Sequence, residues 1–418
     1  MTFANAVKQY QNHTFTENGM PAFKSSTNAN VDLFFAIGAS RGKDISSMFL
    51  KALSEDRELA LRNLLWARDA REGSGERQTF RNLLQFLETH DEAALLHVLP
   101  RVVDLGRWDD LLVFKSTAWK QVAFSMIKEG LASKDGLCAK WMPRKGAEAN
   151  ELRAFLGLTP KQYRKTLVTL SNTVEQAMCS KDWSKIVFEQ VPSVAAARYQ
   201  KAFTRNCGQR DTDYKLALSN GATTIKASTL YPYDVIRSLN NGDVTVASAQ
   251  WEALPDYMQD ETKIVPLVDV SGSMITPIAG SVTALDAAVS MGLYVATKQR
   301  GAFKDIALTF SAEPEIQHLS GTLKNKVKQM MSANWGMNTD VSKAFDKILS
   351  IAVNANVKQE DMTTHLLILS DMQFDQCITN AKDTAHQMIA RKYEQPGYKL
   401  PNVVFWNLNA RGNNIPVD

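Results

Sequence analysis

The hydrophobic pattern of this chain changes its period once, near residue 258, and that change limits the possible folds more than any other feature. From about Asp44 to Tyr257 the apolar residues recur at helical spacing. Leu61, Leu64 and Leu65 form one face, Leu83, Leu84 and Leu87 a second, and Leu95, Leu96, Leu99 and Val102 a third. Ser54 and Asp91 stand where helix N-caps belong, and Gly73, Gly106 and Gly130 where helices should stop. Beyond residue 258 the apolar runs shorten and become β-branched and aromatic: KIVPLVDV (263–270), IALTFS (306–311), HLLILSD (365–371) and NVVFWNLN (402–409). Such runs read as buried strands. The stretches 281–300, 322–332, 341–354 and 377–393 between them read as helices, and EIQHL (315–319) as an antiparallel edge strand.

Strand alternating with helix implies right-handed crossovers and a mostly parallel sheet covered on both faces. The expected fold is therefore mixed: an all-α domain followed by an α/β domain. An N-terminal arm occupies 1–43, a helical domain 44–257 and the α/β domain 262–418, with the acidic stretch Asp256–Glu261 as linker. The helical segments show no self-similarity at a fixed period, so they suit irregular helix pairs of the HEAT kind.

Composition excludes several classes. At 418 residues, with 44% hydrophobic and 22% charged positions, the chain is neither disordered nor collagenous nor a coiled-coil rod. No run approaches the roughly 18–20 apolar residues that cross a bilayer, and MTFANAVKQYQNHTF lacks the apolar region of a secretory signal. Cys138, Cys179, Cys207 and Cys377 are far apart and form no CxxC pair, which argues against a zinc ribbon or a disulfide framework. The six histidines form no HExxH. A cytoplasmic, monomeric protein is the expectation.

The net charge of +4 is unevenly spread. Residues 101–250 carry 22 Lys and Arg against 14 Asp and Glu, whereas 251–418 carry 15 against 18. A basic middle segment suits a polyanion, because phosphate neutralisation with counterion release dominates nucleic-acid affinity. An ordinary solvated surface has the same composition.

The strongest local signal is DVSGSM, Asp269 to Met274, directly after the apolar run Ile264–Val268. That is the carboxyl end of an expected parallel strand, where α/β folds place ligands. Asp269, Ser271 and Ser273 can turn three oxygens toward one point. Thr339, in WGMNTD, and Asp371, at the end of HLLILSD, stand at comparable ends. One or two carboxylates, hydroxyls and retained waters suit Mg2+ (or Mn2+) rather than zinc. An enzyme is not expected: there is no GxxxxGKS/T, no GxGxxG after a strand and no GxSxG elbow, and DVSGSM lacks a second Asp for acid–base work.

In the helical half, VDLGRWDDLL (103–112) joins Arg107 to Trp108 and Asp109, and AKWMPRK (139–145) joins Lys140, Trp141, Arg144 and Lys145. VPSVAAARYQKAFTRN (191–206) presents Arg198, Lys201 and Arg205 at i, i+3 and i+7, one stripe of a helix, and ASTLYPYDVI (227–236) follows. Cations beside aromatic rings suit single-stranded RNA. For Trp108, Trp141 and Tyr199 a place between helices is favoured instead.

DxSxS, a Thr about 70 residues on and a strand-end Asp resemble the metal-ion-dependent adhesion site (MIDAS) of the von Willebrand factor A domain. GRWDDL, AKW-P, VPS-A-R and P-Y-D-I, in this order before that domain, resemble the TROVE module of Ro ribonucleoproteins and match a related family of the same layout. The resemblance runs from about Thr16 to Pro416. It implies a ring or arc of HEAT-like repeats bridged by a von Willebrand A domain, and binding of structured or misfolded small noncoding RNA. It makes Arg107, Lys140, Arg144, Lys145, Arg198, Lys201 and Arg205 candidates for RNA contact, with Arg107, Lys140, Arg198 and Lys201 lying in the matching phrases. It implies that Asp269, Ser271, Ser273, Thr339 and Asp371 hold a metal that recruits a partner or ligand. The sheet of that family has a further strand and helix after the segment matching NVVFWNLN. Here an absent edge strand, a truncated product or a strand supplied by the N-terminal arm are all open. The expected function is non-enzymatic RNA binding; the alternative is a metal-dependent protein–protein scaffold without RNA.

Overall fold

The computed structural model describes residues 12–15, 21–39, 44–258, 262–279, 281–309, 313–332, 341–371 and 385–408. The chain is mostly helical, with a helical unit, Ala29–Ala217, and a second unit built from Met1–Asn28 and Leu218–Asp418.

In the helical unit α1 (Ala29–Ala39), α2 (Ser46–Glu55), α3 (Arg57–Arg68), α4 (Arg77–His90) and α5 (Glu92–Leu105) lead to a 3-10 turn, Trp108–Val113. Then come α6 (Thr117–Ala132), α7 (Gly136–Trp141), α8 (Ala147–Phe155), α9 (Pro160–Ser171), α10 (Val174–Cys179), α11 (Ser193–Cys207) and α12 (Gln209–Ser219). Short polar side chains start several of these helices by accepting from otherwise unpaired backbone N–H groups. Asp56 accepts from Leu59 N at 3.0 Å, Asp91 from Ala94 N at 2.9 Å and Asp135 from Leu137 N at 2.7 Å. Ser54, expected as a cap, instead lies inside α2 and donates to the Leu50 carbonyl one turn back.

Apolar faces close over one core. Leu64, Phe80, Leu84, Leu87, Leu95, Val98 and Ile127 are fully buried in it. Each such side chain removed from water contributes about 1.5–3 kcal/mol. Leu96, expected on the buried face, is 58% exposed, because Leu95, Leu99 and Val102 already complete the stripe of α5. Gly130 does not stop a helix either: it sits within α6, and a Cβ there would lie 2.4 Å from the Trp108 ring. A small residue is needed for that close approach.

The second unit holds α13 (Pro232–Asn241), α14 (Val244–Glu252), α15 (Ala284–Lys298), α16 (Leu323–Ser332), α17 (Val341–Asn354) and α18 (Ala385–Glu394). Its hairpin β1 (His13–Phe15) and β2 (Pro21–Phe23) pair antiparallel with each other, apart from the main sheet. A small ribbon joins β4 (Pro277–Ala279) to β5 (Val282–Thr283). The main sheet runs β7-β6-β3-β8-β9, from β3 (Ile264–Val268), β6 (Ile306–Thr309), β7 (Ile316–His318), β8 (His365–Ser370) and β9 (Asn402–Asn407). Only β7 is antiparallel.

Side chains of β3 and β8 alternate between two cores, as the period of two requires. Val268, Leu367 and Leu369 pack with α15, and Val265, Leu267, Leu366 and Ile368 with Phe345 of α17 and Tyr393 of α18. Gly292 lets α15 lie close on β3, since a Cβ there would stand 2.4 Å from Val268. Val235, Leu239, Ala247 and Trp251 of α13 and α14 are buried in the α15 core. These two helices have the helical periodicity of the preceding segment but take the sheet unit as their packing partner. The division therefore falls near 217, ahead of the change in sequence pattern.

Candidate functional site

The strand order places β3 between β6 and β8, so the chain leaves β3 toward one side and returns on the other. Loops diverge at such a point and leave a crevice at the carboxyl ends of the strands. Asp269 follows β3 and Asp371 follows β8, whose register pairs Val268 with Leu369. Both carboxylates are buried, at 0% and 1% exposure. The Asp269 N–H donates to the Leu369 carbonyl at 3.0 Å, which locks the loop to the neighbouring strand.

Hydrogen bonds orient the Asp269 carboxylate. Its Oδ1 accepts from Ser271 N at 2.9 Å and its Oδ2 from the Ser370 hydroxyl at 2.5 Å. Ser271 Oγ lies 3.0 Å from Ser273 Oγ. Burial pushes the Asp269 carboxyl above the ordinary carboxylate range, with the nearby Asp371 charge adding to the rise and the Ser370 and Ser271 hydrogen bonds opposing it. Four of the five expected metal-site residues are thus described, and Thr339 lies outside the described residues. Among the described residues no three His, Cys, Asp or Glu side chains gather into a metal-binding group. Any cation here would rest on two carboxylates and hydroxyls, an oxygen set that fits a hard ion. Ser370 was missed in the sequence, although a hydroxyl directly before a strand-end Asp was the available signal.

The basic candidates occupy the helical unit. Arg198, Lys201 and Arg205 are all exposed on α11, and none makes a hydrogen bond or ion pair among the described residues. Lys145 is exposed, and Arg144 reaches the Ser171 hydroxyl at 3.5 Å. Lys140 is half-buried, with Nζ 5.4 Å from the Trp141 ring centre. Lys140 and Lys185 also line a groove of 680 Å³ with Ser171, Glu175, Gln176 and Gln190.

Arg107 has internal partners. Its Nε donates to Asp109 at 2.8 Å, and its guanidinium carbon lies 3.7 Å from the Trp141 ring centre. Beside it Arg68 and Arg81 each donate to the fully buried Asp110 at 2.7 Å, and Arg81 pairs with Asp109 at 2.9 Å. Trp108 donates from its indole nitrogen to Asp135 at 3.1 Å, and the Tyr199 hydroxyl to Glu175 at 3.2 Å. GRWDDL therefore ties α3, α4, α6 and α7 together.

The family model described as Domain of unknown function (DUF2828) matches residues 16–122 and 123–264. The chain belongs to the DUF2828 family. A second model, described as Domain of unknown function (DUF7788), matches 263–418, so the two matches of this DUF2828 chain meet at β3. Uncharacterized protein L728 of Acanthamoeba polyphaga mimivirus is 30% identical over 460 residues, covering 96% of this chain and 79% of that protein. Among solved structures, the RO (RSR) protein of Deinococcus radiodurans is similar at 15% identity and a TM-score of 0.35, over 95% of this chain and 89% of that one.

Proposed function

We propose that this DUF2828 chain is a non-enzymatic RNA-binding protein whose helical unit, built of HEAT-like pairs, holds structured or misfolded small noncoding RNA. The observation that carries the reading is the stripe Arg198, Lys201 and Arg205 on α11, exposed and without partners among the described residues. Three cations at this spacing follow a phosphate backbone and gain entropy by releasing its counterions. The motif order GRWDDL, AKW-P, VPS-A-R and P-Y-D-I supports the same reading through its likeness to the TROVE module.

In this reading the sheet unit is a von Willebrand A-like domain. Asp269, Ser271, Ser273 and Asp371, with Thr339, hold Mg2+ (or Mn2+), and the ion supplies an open coordination position to a partner's carboxylate or phosphate. The buried, mutually repelling carboxylates support this, since a divalent cation relieves what desolvation and like charge make unfavourable.

The test is fluorescence anisotropy with a hairpin RNA bearing a single-stranded 3′ tail. Affinity should fall steeply between about 50 and 200 mM salt. The combined substitutions Arg198→Glu, Lys201→Glu and Arg205→Glu should weaken binding while leaving the helical circular dichroism unchanged. Absence of salt-sensitive binding in the unaltered protein refutes the reading.

The Ser271–Ser273 pairing beside two buried carboxylates also supports a second reading, a metal-dependent protein scaffold without RNA. Purified protein free of nucleic acid, with partner capture abolished by EDTA, would favour it.

A further inference from the structure

The Arg–Asp network of the helical unit carries more positive charge than its fold uses. Arg77 opens α4 and precedes Arg81 by four residues, so the two stand one turn apart on the same helix face. Arg81 and Arg68 are matched to Asp109 and Asp110, and Arg107 to Asp109. Three guanidinium groups thus share two carboxylates, with a fourth beside them. Arg77 is the one left over: it is exposed and makes no hydrogen bond or ion pair among the described residues, so all five of its N–H donors are available.

Its neighbours confirm the surplus. Partial burial, then the charges of Arg107, Arg68 and Arg81, make the Arg77 guanidinium a weaker base than usual, with only Asp109 opposing them. Beyond Arg107 the positive surface continues across Trp141 to Lys140. A cation held against other cations, without a contact that holds the fold, marks a place where function rather than stability set the residue. Arg107 is fixed in orientation by Asp109 and the Trp141 ring, and a guanidinium so fixed presents its remaining donors without losing further side-chain entropy.

We propose that Arg77 and Arg107, continued by Lys140, form a phosphate-binding edge for the backbone of the bound RNA. The proposal rests on the RNA-binding reading above and adds a contact region separate in sequence from the α11 stripe. Arg68 and Arg81 are positioning residues in it: their pairing with Asp110 and Asp109 sets where the two outward guanidinium groups stand.

The experiment uses the full chain, the tailed hairpin RNA described above and three variants: Arg77→Ala, Arg77→Lys and Lys201→Glu. Arg77→Ala should reduce affinity about fivefold at roughly 0.1 M salt and lower the slope of log K against log salt by about one. Its thermal midpoint should stay unchanged or rise, because a repelled charge has been removed. Arg77→Lys should recover most of the salt slope. If the unaltered protein binds RNA and Lys201→Glu weakens it while Arg77→Ala does not, the edge is refuted and the RNA reading stands. If the unaltered protein binds no RNA, both fall. A lowered midpoint with unchanged affinity assigns Arg77 to the fold and also overturns the proposal, as does loss of a captured protein partner with RNA affinity intact.

Discussion

The indole of Trp108 occupies the space in which a side chain on Gly130 would stand: a Cβ there would come within 2.4 Å of one ring carbon and 2.8 Å of the next. Trp108 is held by donating from its indole nitrogen to one oxygen of Asp135, whose other oxygen caps α7, so moving the ring away breaks that hydrogen bond. Gly130→Ala adds helix propensity to α6, worth about 1 kcal/mol, but overpacks a site that has no room. The clash dominates. The variant should lose about 1–3 kcal/mol in urea unfolding, and Trp108→Leu in the same background should restore part of that loss.

Asp110 is the most deeply committed charge in the molecule among the described residues. It is fully buried, accepts from Arg68 and Arg81 at 2.7 Å each, and accepts the Arg107 backbone N–H at 2.9 Å. Removing one member of such a pair leaves an uncompensated buried charge, which destabilises by about 3–5 kcal/mol. Asp110→Ala should therefore unfold at far lower denaturant than Arg57→Ala, whose partner Asp91 is at the surface. Equal midpoints for the two variants would show that the network does not hold the helices.

Much of this arrangement was legible in the sequence where one physical signal dominates. HLLILS reads as a strand because its apolar run Leu366–Leu369 suits burial on both faces, and Asp371 stands just beyond the end of that strand. Packing partners were not legible: α13 and α14 show helical periodicity whether they cover helices or a sheet, and period says nothing about which. Pairing was not legible from charge counts either: Arg107 adds to the basic middle segment, and only the structure shows its Nε held by Asp109 two residues on. Arg77 follows the acidic residues Glu72 and Glu76 and carries no sequence signal of its own; only the placement of Arg81 and Arg107 singles it out.

The same network sets an acid limit on stability. Burial works to raise the Asp109 carboxyl, but hydrogen bonds and charges from Arg107 and Arg81 outweigh it and hold the group below its ordinary value of 3.8. A depressed carboxyl favours folding when ionised. Its contribution is complete above the unfolded value and is lost as pH falls below that value and through the folded one. Urea midpoints should hold between about pH 7 and pH 5 and drop below about pH 4. Asp109→Asn should be less stable at neutral pH and show a flatter acid limb; an unchanged limb would assign the acid sensitivity to other carboxylates.

Asp269 has the opposite sign. Its carboxyl is raised, first by burial and further by Asp371, so the ionised form opposes folding at neutral pH when no cation is near. Asp269→Asn removes that charge and retains an oxygen able to accept from Ser271 N. Without divalent ions the variant should melt at or above the temperature of the unaltered protein. Added Mg2+ should raise the melting temperature of the unaltered protein by mass action and leave the variant unmoved. If RNA is held by the helical unit as proposed, RNA affinity should be the same in both. A Mg2+ shift that survives Asp269→Asn would place the ion elsewhere, and joint loss of RNA binding would mean either that the site is structural or that RNA phosphate is the ligand that completes it.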